Sequence, residues 1–164
     1  MMIAPRLMAR RLRQHHGIEH ATVTLLSRRL PGIFIAARSD LQGFIVYGNV
    51  DALTLRAAVE EALGRLQQGE RQLAVHPNCG TNLVVSGLMS GSAAWLLSSG
   101  RKRPWWDRLP GAILGATLAL LAAPPIARWV QEYITTSPDV VDLRVDDVVR
   151  LNGGPVTRHR VVIV

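Results

Sequence analysis

The chain contains one cysteine, Cys79, which excludes an intramolecular disulfide and a four-cysteine zinc knuckle. It contains one lysine, Lys102; every other basic residue is arginine. Charge is scarce at 19%, against 48% hydrophobic residues and a mean hydropathy of +0.17. That balance excludes a disordered tail, which needs dense charge and little apolar surface. The 14 glycines and 9 prolines follow no repeat and exclude a fibrous chain. Acidic residues are in deficit, giving a net charge of +7 and a pI near 11.1. Such a surplus suits nucleic acid or an anionic membrane surface and does not by itself choose between them.

The missing charge is localised. No Asp, Glu, Lys or Arg occurs from Gln72 to Gly100, nor from Leu109 to Ala127. Between the two gaps lies Arg101-Lys102-Arg103-Pro104-Trp105-Trp106-Asp107-Arg108. A hydrocarbon core takes about 20 apolar residues of helix to cross, so each gap is long enough for a span. The first is diluted by Ser86, Ser90, Ser92, Ser98 and Ser99; the second is the stronger. Trp95, Trp105, Trp106 and Trp129 fall near the expected ends, where amphipathic aromatics settle at a membrane boundary. Gly87 and Gly91, and then Gly111, Gly115, Ala119 and Ala123, recur every four residues, a spacing that lets helix backbones approach closely. A buried soluble helical hairpin would use the same small residues.

These features predict an α+β protein in three parts. Residues 1–81 form a small αββα(β) domain, 82–130 a two-helix transmembrane hairpin, and 131–164 a C-terminal β-hairpin on the first domain. The chain is then a multi-pass cell-membrane protein with the lipid bilayer as a partner. The segment Met1–Gln14 lacks the apolar core and cleavage site of a secretory signal, and its arginines Arg6, Arg10, Arg11 and Arg13 suit anionic headgroups. The basic loop at 101–108 argues for a cytoplasmic loop, which would export the N-terminal domain without a signal. The two rules conflict and leave orientation open.

Within the first domain, Pro5 suits a helix start. Leu12, His16, His20, Val23 and Leu30 recur at helical spacing, and Pro31-Gly32 should end that helix. Ile33–Ala37 and Phe44–Tyr47 read as strands of a hairpin. Asp51 is the expected cap of a second helix with the stripe Leu55, Val59, Ala62, Leu63 and Leu66, ended by Gly69. Leu73–Val75 is a candidate third strand. Val140–Leu151 and Val161–Val164 read as strands around Asn152-Gly153-Gly154.

The chemistry concentrates in two motifs. His16, Glu19 and His20 make an H-x-x-E-H pattern that a helix gathers on one side. Two imidazoles one turn apart can reach a single zinc ion, and the nearby carboxylate can act as base; the order matches that of the inverzincins. Polar groups on a core-facing stripe must be satisfied, at a cost of roughly 2–7 kcal/mol if they are not. A metal would satisfy them, and so would a hydrogen-bonded cluster pairing Glu19 with a histidine or arginine. The second motif, His76-Pro77-Asn78-Cys79-Gly80-Thr81-Asn82, places His76 and Cys79 three apart in a loop before the first apolar segment. The alternative for Cys79 is a small buried residue. Asn78, Thr81 and Asn82 can orient ligands or cap the next helix. His159, between Arg158 and Arg160, reads as a solvated strand residue.

HGIEHAT at 16–22, HPNCGTNL at 76–83 and the two apolar segments resemble an uncharacterised family of bacterial membrane proteins. They are also similar to a larger group, described as a predicted metal-dependent membrane enzyme, that pairs HG-x-EH-x-T with HP-x-CGT. The resemblance covers most of residues 16–127. It implies a membrane protein with a metal site at His16, Glu19, His20, His76 and Cys79, and no known reaction.

Two functions follow. With His16, His20 and one of His76 or Cys79 as zinc ligands, a coordination position stays open and Glu19 serves as catalytic base of a hydrolase at the membrane surface. With His16, His20, His76 and Cys79 all bound, the site is closed and the protein is a metal-stapled scaffold or interaction module. Its substrate or protein partner is unknown in either case. Nucleic acid ranks below both as a partner, because the basic clusters flank the apolar segments.

Overall fold

A computed structural model describes residues 5–99, 104–151, 153 and 156–164. It is mixed helix and sheet, and it divides into two compact units. One comprises the residues up to His76 together with Glu132–Val164; the other is Pro77–Gln131.

The first unit opens with α1, Pro5–Arg29, followed by β1, Ala36–Asp40, and β2, Gly43–Tyr47. The β1–β2 turn is tighter than the residues Ser39–Gly43 suggest, because Asp40 pairs with Gly43 across two turn residues. The Asp40 carboxylate accepts from the Gln42 N–H at 2.9 Å, fixing that turn. Gly43 holds φ +140°, and a Cβ there would lie 2.1 Å from the Val161 carbonyl oxygen, so no other residue fits. Next comes α2, Ala52–Gln67, whose Thr54 N–H donates to the Asp51 carboxylate at 2.9 Å as the sequence indicates. Leu55, Val59, Ala62, Leu63 and Leu66 are all buried, and Gly69 (φ +96°) turns the chain after the helix.

The C-terminal strands are β3, Val145–Leu151, and β4, Arg158–Ile163. They complete a four-stranded antiparallel sheet of order β1-β2-β4-β3, with Phe44 opposite Val161 and Val46 opposite His159. Both edges of β2 are therefore taken. Residues 71–74 form a 3-10 turn in place of the expected third strand, with Leu73 and Ala74 buried. Of the turn residues between β3 and β4, Asn152 and Gly154 lie outside the described residues. The core joins Ile18, Ala21, Leu25 and Leu26 of α1 to the α2 stripe, Phe44, Val46, Val161 and Ile163. The buried face of α1 is thus rotated from the expected stripe: Leu12 is exposed and Val23 only half-buried. Small Ala21 and Thr22, invisible to a search for large apolar residues, occupy its centre.

His159 is buried, contrary to its solvated reading. Alternation along β4 puts it on the same face as Val161 and Ile163, and strand period outweighs the two flanking arginines.

The second unit is a pair of antiparallel helices, α3, Gly80–Ser98, and α4, Trp105–Val130. Gly115 meets Leu97 and the Ala93 carbonyl, and a Cβ at Gly115 would stand 2.4 Å from Leu97 Cδ1. At the other end, Gln131 donates to the Asn82 side chain. Gly111 approaches the Leu97 carbonyl, and Gly115, Ala123 and Ala127 are buried in one row. Gly87 and Gly91 face open space, so only the α4 row makes a close helix contact. The basic residues Arg101, Lys102 and Arg103 lie outside the described residues. Among those described, one helical run, Trp105–Thr135, is long and apolar enough to cross a membrane, with mean hydropathy 1.7 and 11% of its most apolar window buried. The serines dilute the apolar character of α3, so two spans are not established.

Candidate metal centre

The α1 helix carries His15, His16, Glu19 and His20 in the first two turns beyond its exposed start. Its neighbours in the first unit explain where each side chain turns. A π-helical turn, Gln131–Thr135, follows α4, and the end of a helix leaves carbonyls without partners inside the helix. Arg13 and His16 supply them. Arg13 Nη2 donates to the Tyr133 and Thr136 carbonyls at 3.0 and 3.1 Å, a cation where the helix dipole favours one. His16 Nδ1 lies 3.0 Å from the Thr135 carbonyl oxygen. The Ser137 N–H closes the contact on the Arg13 carbonyl at 2.8 Å. Gly17 makes this approach possible, since a Cβ there would sit 2.5 Å from the Ser137 carbonyl oxygen.

One turn on, His20 is buried, and its Nδ1 lies 2.8 Å from the Ala74 carbonyl oxygen at the end of the 3-10 turn. A carbonyl only accepts, so in both rings Nδ1 carries a proton, and in the neutral ring the lone pair is on Nε2. A carbonyl holding the far ring nitrogen is the usual support for a metal-ligating histidine. The two ring centroids are 4.3 Å apart, and that of His76, half-buried, is 5.9 Å from His20.

Glu19 turns elsewhere. It is buried and accepts a hydrogen bond from Ser39 Oγ on β1. His15, one turn earlier, is fully buried with Nδ1 2.8 Å from the Asp40 carbonyl oxygen. Burial lowers the His15 pKa and Arg11 adds to the effect, while the Asp40 carbonyl and carboxylate pull the other way. The helix therefore divides the motif: His16 and His20 meet residues 135 and 74, and His15 and Glu19 meet the sheet edge.

Cys79 is buried at the N-cap of α3, where its sulfur accepts from the Thr81 N–H at 3.4 Å. Within the first unit, His16, His20 and His76 stand side by side, and Glu19, turned to Ser39, is apart from them. Sequence reasoning missed the partners Thr135, Ala74 and Ser39, because two of the three contribute only backbone oxygens. Gly17 was the one available signal, a glycine in mid-helix without a turn to explain it.

The chain belongs to the family described as a domain of unknown function (DUF6391), which matches residues 11–148. An uncharacterized protein of Picosynechococcus sp. is 39% identical over 139 residues, or 77% of this chain. The match spans 66% of that relative's length. No solved structure matches the chain.

Proposed function

We propose that the protein is a membrane-anchored metal-binding protein and, in its leading form, a zinc-dependent hydrolase working at the membrane surface. The observation that carries this reading is the pair of Nδ1–carbonyl hydrogen bonds on His16 and His20. With each Nδ1 held by a backbone carbonyl, the Nε2 atoms on two adjacent turns are the ligating atoms in this reading. Cys79, a buried thiol three residues after His76, is the third ligand in this reading. Zinc supplies a Lewis acid that polarises a substrate carbonyl. Glu19, beside His20 in the chain, is the base in this reading and must leave Ser39, to which it is bonded, in order to serve. The α4 helix, with α3 beside it, anchors the chain in the bilayer, and the apolar, largely exposed surface of α4 supports that placement.

A closed, structural site is the second reading. It is favoured by His76, whose ring lies near that of His20 and could complete a fourth bond. The test is zinc content and activity of the full chain purified in lipid. The hydrolase expects about one zinc per chain, retained in Glu19→Gln while hydrolysis of ester and amide probes is lost. Zinc retention with no dependence of any hydrolysis on Glu19 leaves the scaffold. Absence of zinc from freshly purified wild type, with none taken up on addition, rejects both.

A further inference from the structure

We infer that the exposed first turns of α1 dock on an anionic lipid surface. Residues 5–12 are all exposed although they are helical, so no part of the first unit explains this stretch of ordered helix. Met8 and Leu12 lie one turn apart and are 39% and 42% exposed. Arg6 and Arg10 lie one turn apart on another side, with Arg11 beside them and no acidic residue before Glu19. Like charges at that spacing repel and weaken a helix in water. Among the described residues, no ion pair involves Arg6, Arg10 or Arg11. An apolar strip bordered by unneutralised arginines is the composition of a helix that lies in a membrane interface.

Its location favours lipid over other polyanions. Arg13 grips the Tyr133 and Thr136 carbonyls, and Tyr133 belongs to the apolar run Trp105–Thr135. Arg6 is seven residues from Arg13, about 10 Å along the helix. The arginines thus share a helix with the residue that holds Tyr133, at the point in the chain where the apolar run ends. The inference rests on the membrane reading above and is independent of the metal.

Hydrogen exchange of the full chain in lipid nanodiscs tests it, comparing phosphatidylcholine alone with phosphatidylcholine containing phosphatidylglycerol. Amides of residues 6–12 should exchange more slowly in the anionic discs, and 1 M salt, with a screening length of about 3 Å, should erase the difference. Replacing Arg6, Arg10 and Arg11 by glutamine should weaken docking about 100-fold and erase the difference too, while α2 exchange stays unchanged. Equal exchange in both discs, with α4 amides protected, overturns the docking surface and leaves the membrane reading standing. Freely exchanging α4 amides overturn both. Slowing by duplex DNA in neutral discs as strong as by anionic lipid overturns the assignment in favour of nucleic acid.

Discussion

His16 Nδ1 donates to the backbone carbonyl of Thr135, 119 residues away, at 3.0 Å. This bond joins the metal-type motif on α1 to the turn that ends the apolar helical run. Whatever displaces residues 133–137 therefore reaches the imidazole, and the tightest point of that contact is Gly17.

Gly17→Ala should push the Ser137 carbonyl away from α1, since the new Cβ would lie 2.5 Å from a backbone oxygen that cannot rotate aside. The expected loss is about 1–3 kcal/mol, the usual range for overpacking. Thermal or denaturant unfolding measures it, and zinc affinity should fall in the same variant because the His16 support moves. An unchanged melting temperature would show that the segment is not held against the helix.

Gly115→Ala should strain the α3–α4 pair through Leu97, whose Cδ1 would lie 2.4 Å from the added carbon. Leu97→Ala on the same background should recover most of the loss, because the obstacle is the end of one side chain. Melting of the four proteins of this cycle in one lipid mixture gives the coupling.

The Asp40–Arg160 pair sets an acid limb. Burial pushes the Asp40 carboxyl up, but the Arg160 hydrogen bond, the Gln42 N–H and the nearby Arg160 and His15 charges outweigh it and hold the pKa below its usual value. A depressed folded pKa gives stability that is present above about pH 4, the unfolded value, and is lost as pH falls through the folded value. Arg160→Gln should raise the Asp40 pKa and start acid unfolding at higher pH. The pair is partly exposed, so the change should stay below about 1 kcal/mol.

His159 should impose a second pH dependence. Burial lowers its pKa, Arg150 lowers it further, and Asp51 opposes both. Below about pH 6.5 the unfolded ring takes a proton that the folded ring refuses, so stability should fall as pH drops from about 6.5 through the folded value. Its Nδ1 is buried without a hydrogen-bond partner among the described residues. His159→Leu should therefore be close to neutral at pH 7.5 and flatten the melting curve between pH 5 and 7. An unaltered slope in that variant would assign the pH dependence to other groups.

Local signals carried much of the fold. Asp51 and Gly69 mark the ends of α2, and the stripe between them is large and regular enough to read directly. The charge-free runs likewise mark α3 and α4. What depended on distant chain was not legible. The position of Leu73 is decided by β4 having filled the edge of β2. The burial of His159 is decided by its register opposite Val46, against the evidence of its arginine neighbours. At the site, the H-x-x-E-H spacing falls on a stretch where Glu19 and His20 are buried and His16 is half-buried. It did not reveal that Glu19 turns to Ser39 while the two imidazoles turn to Ala74 and Thr135, since those partners come from three separate segments.

The most direct measurement is zinc-edge X-ray absorption on the full chain purified in lipid and loaded with one equivalent of zinc. A shared ion requires nitrogen neighbours at about 2.0–2.1 Å and one sulfur at about 2.3 Å. The sulfur should vanish in Cys79→Ser, and His20→Ala should release the metal. A shell of oxygen and nitrogen alone in wild type, or no zinc retained after desalting, would contradict a centre built from His16, His20 and Cys79.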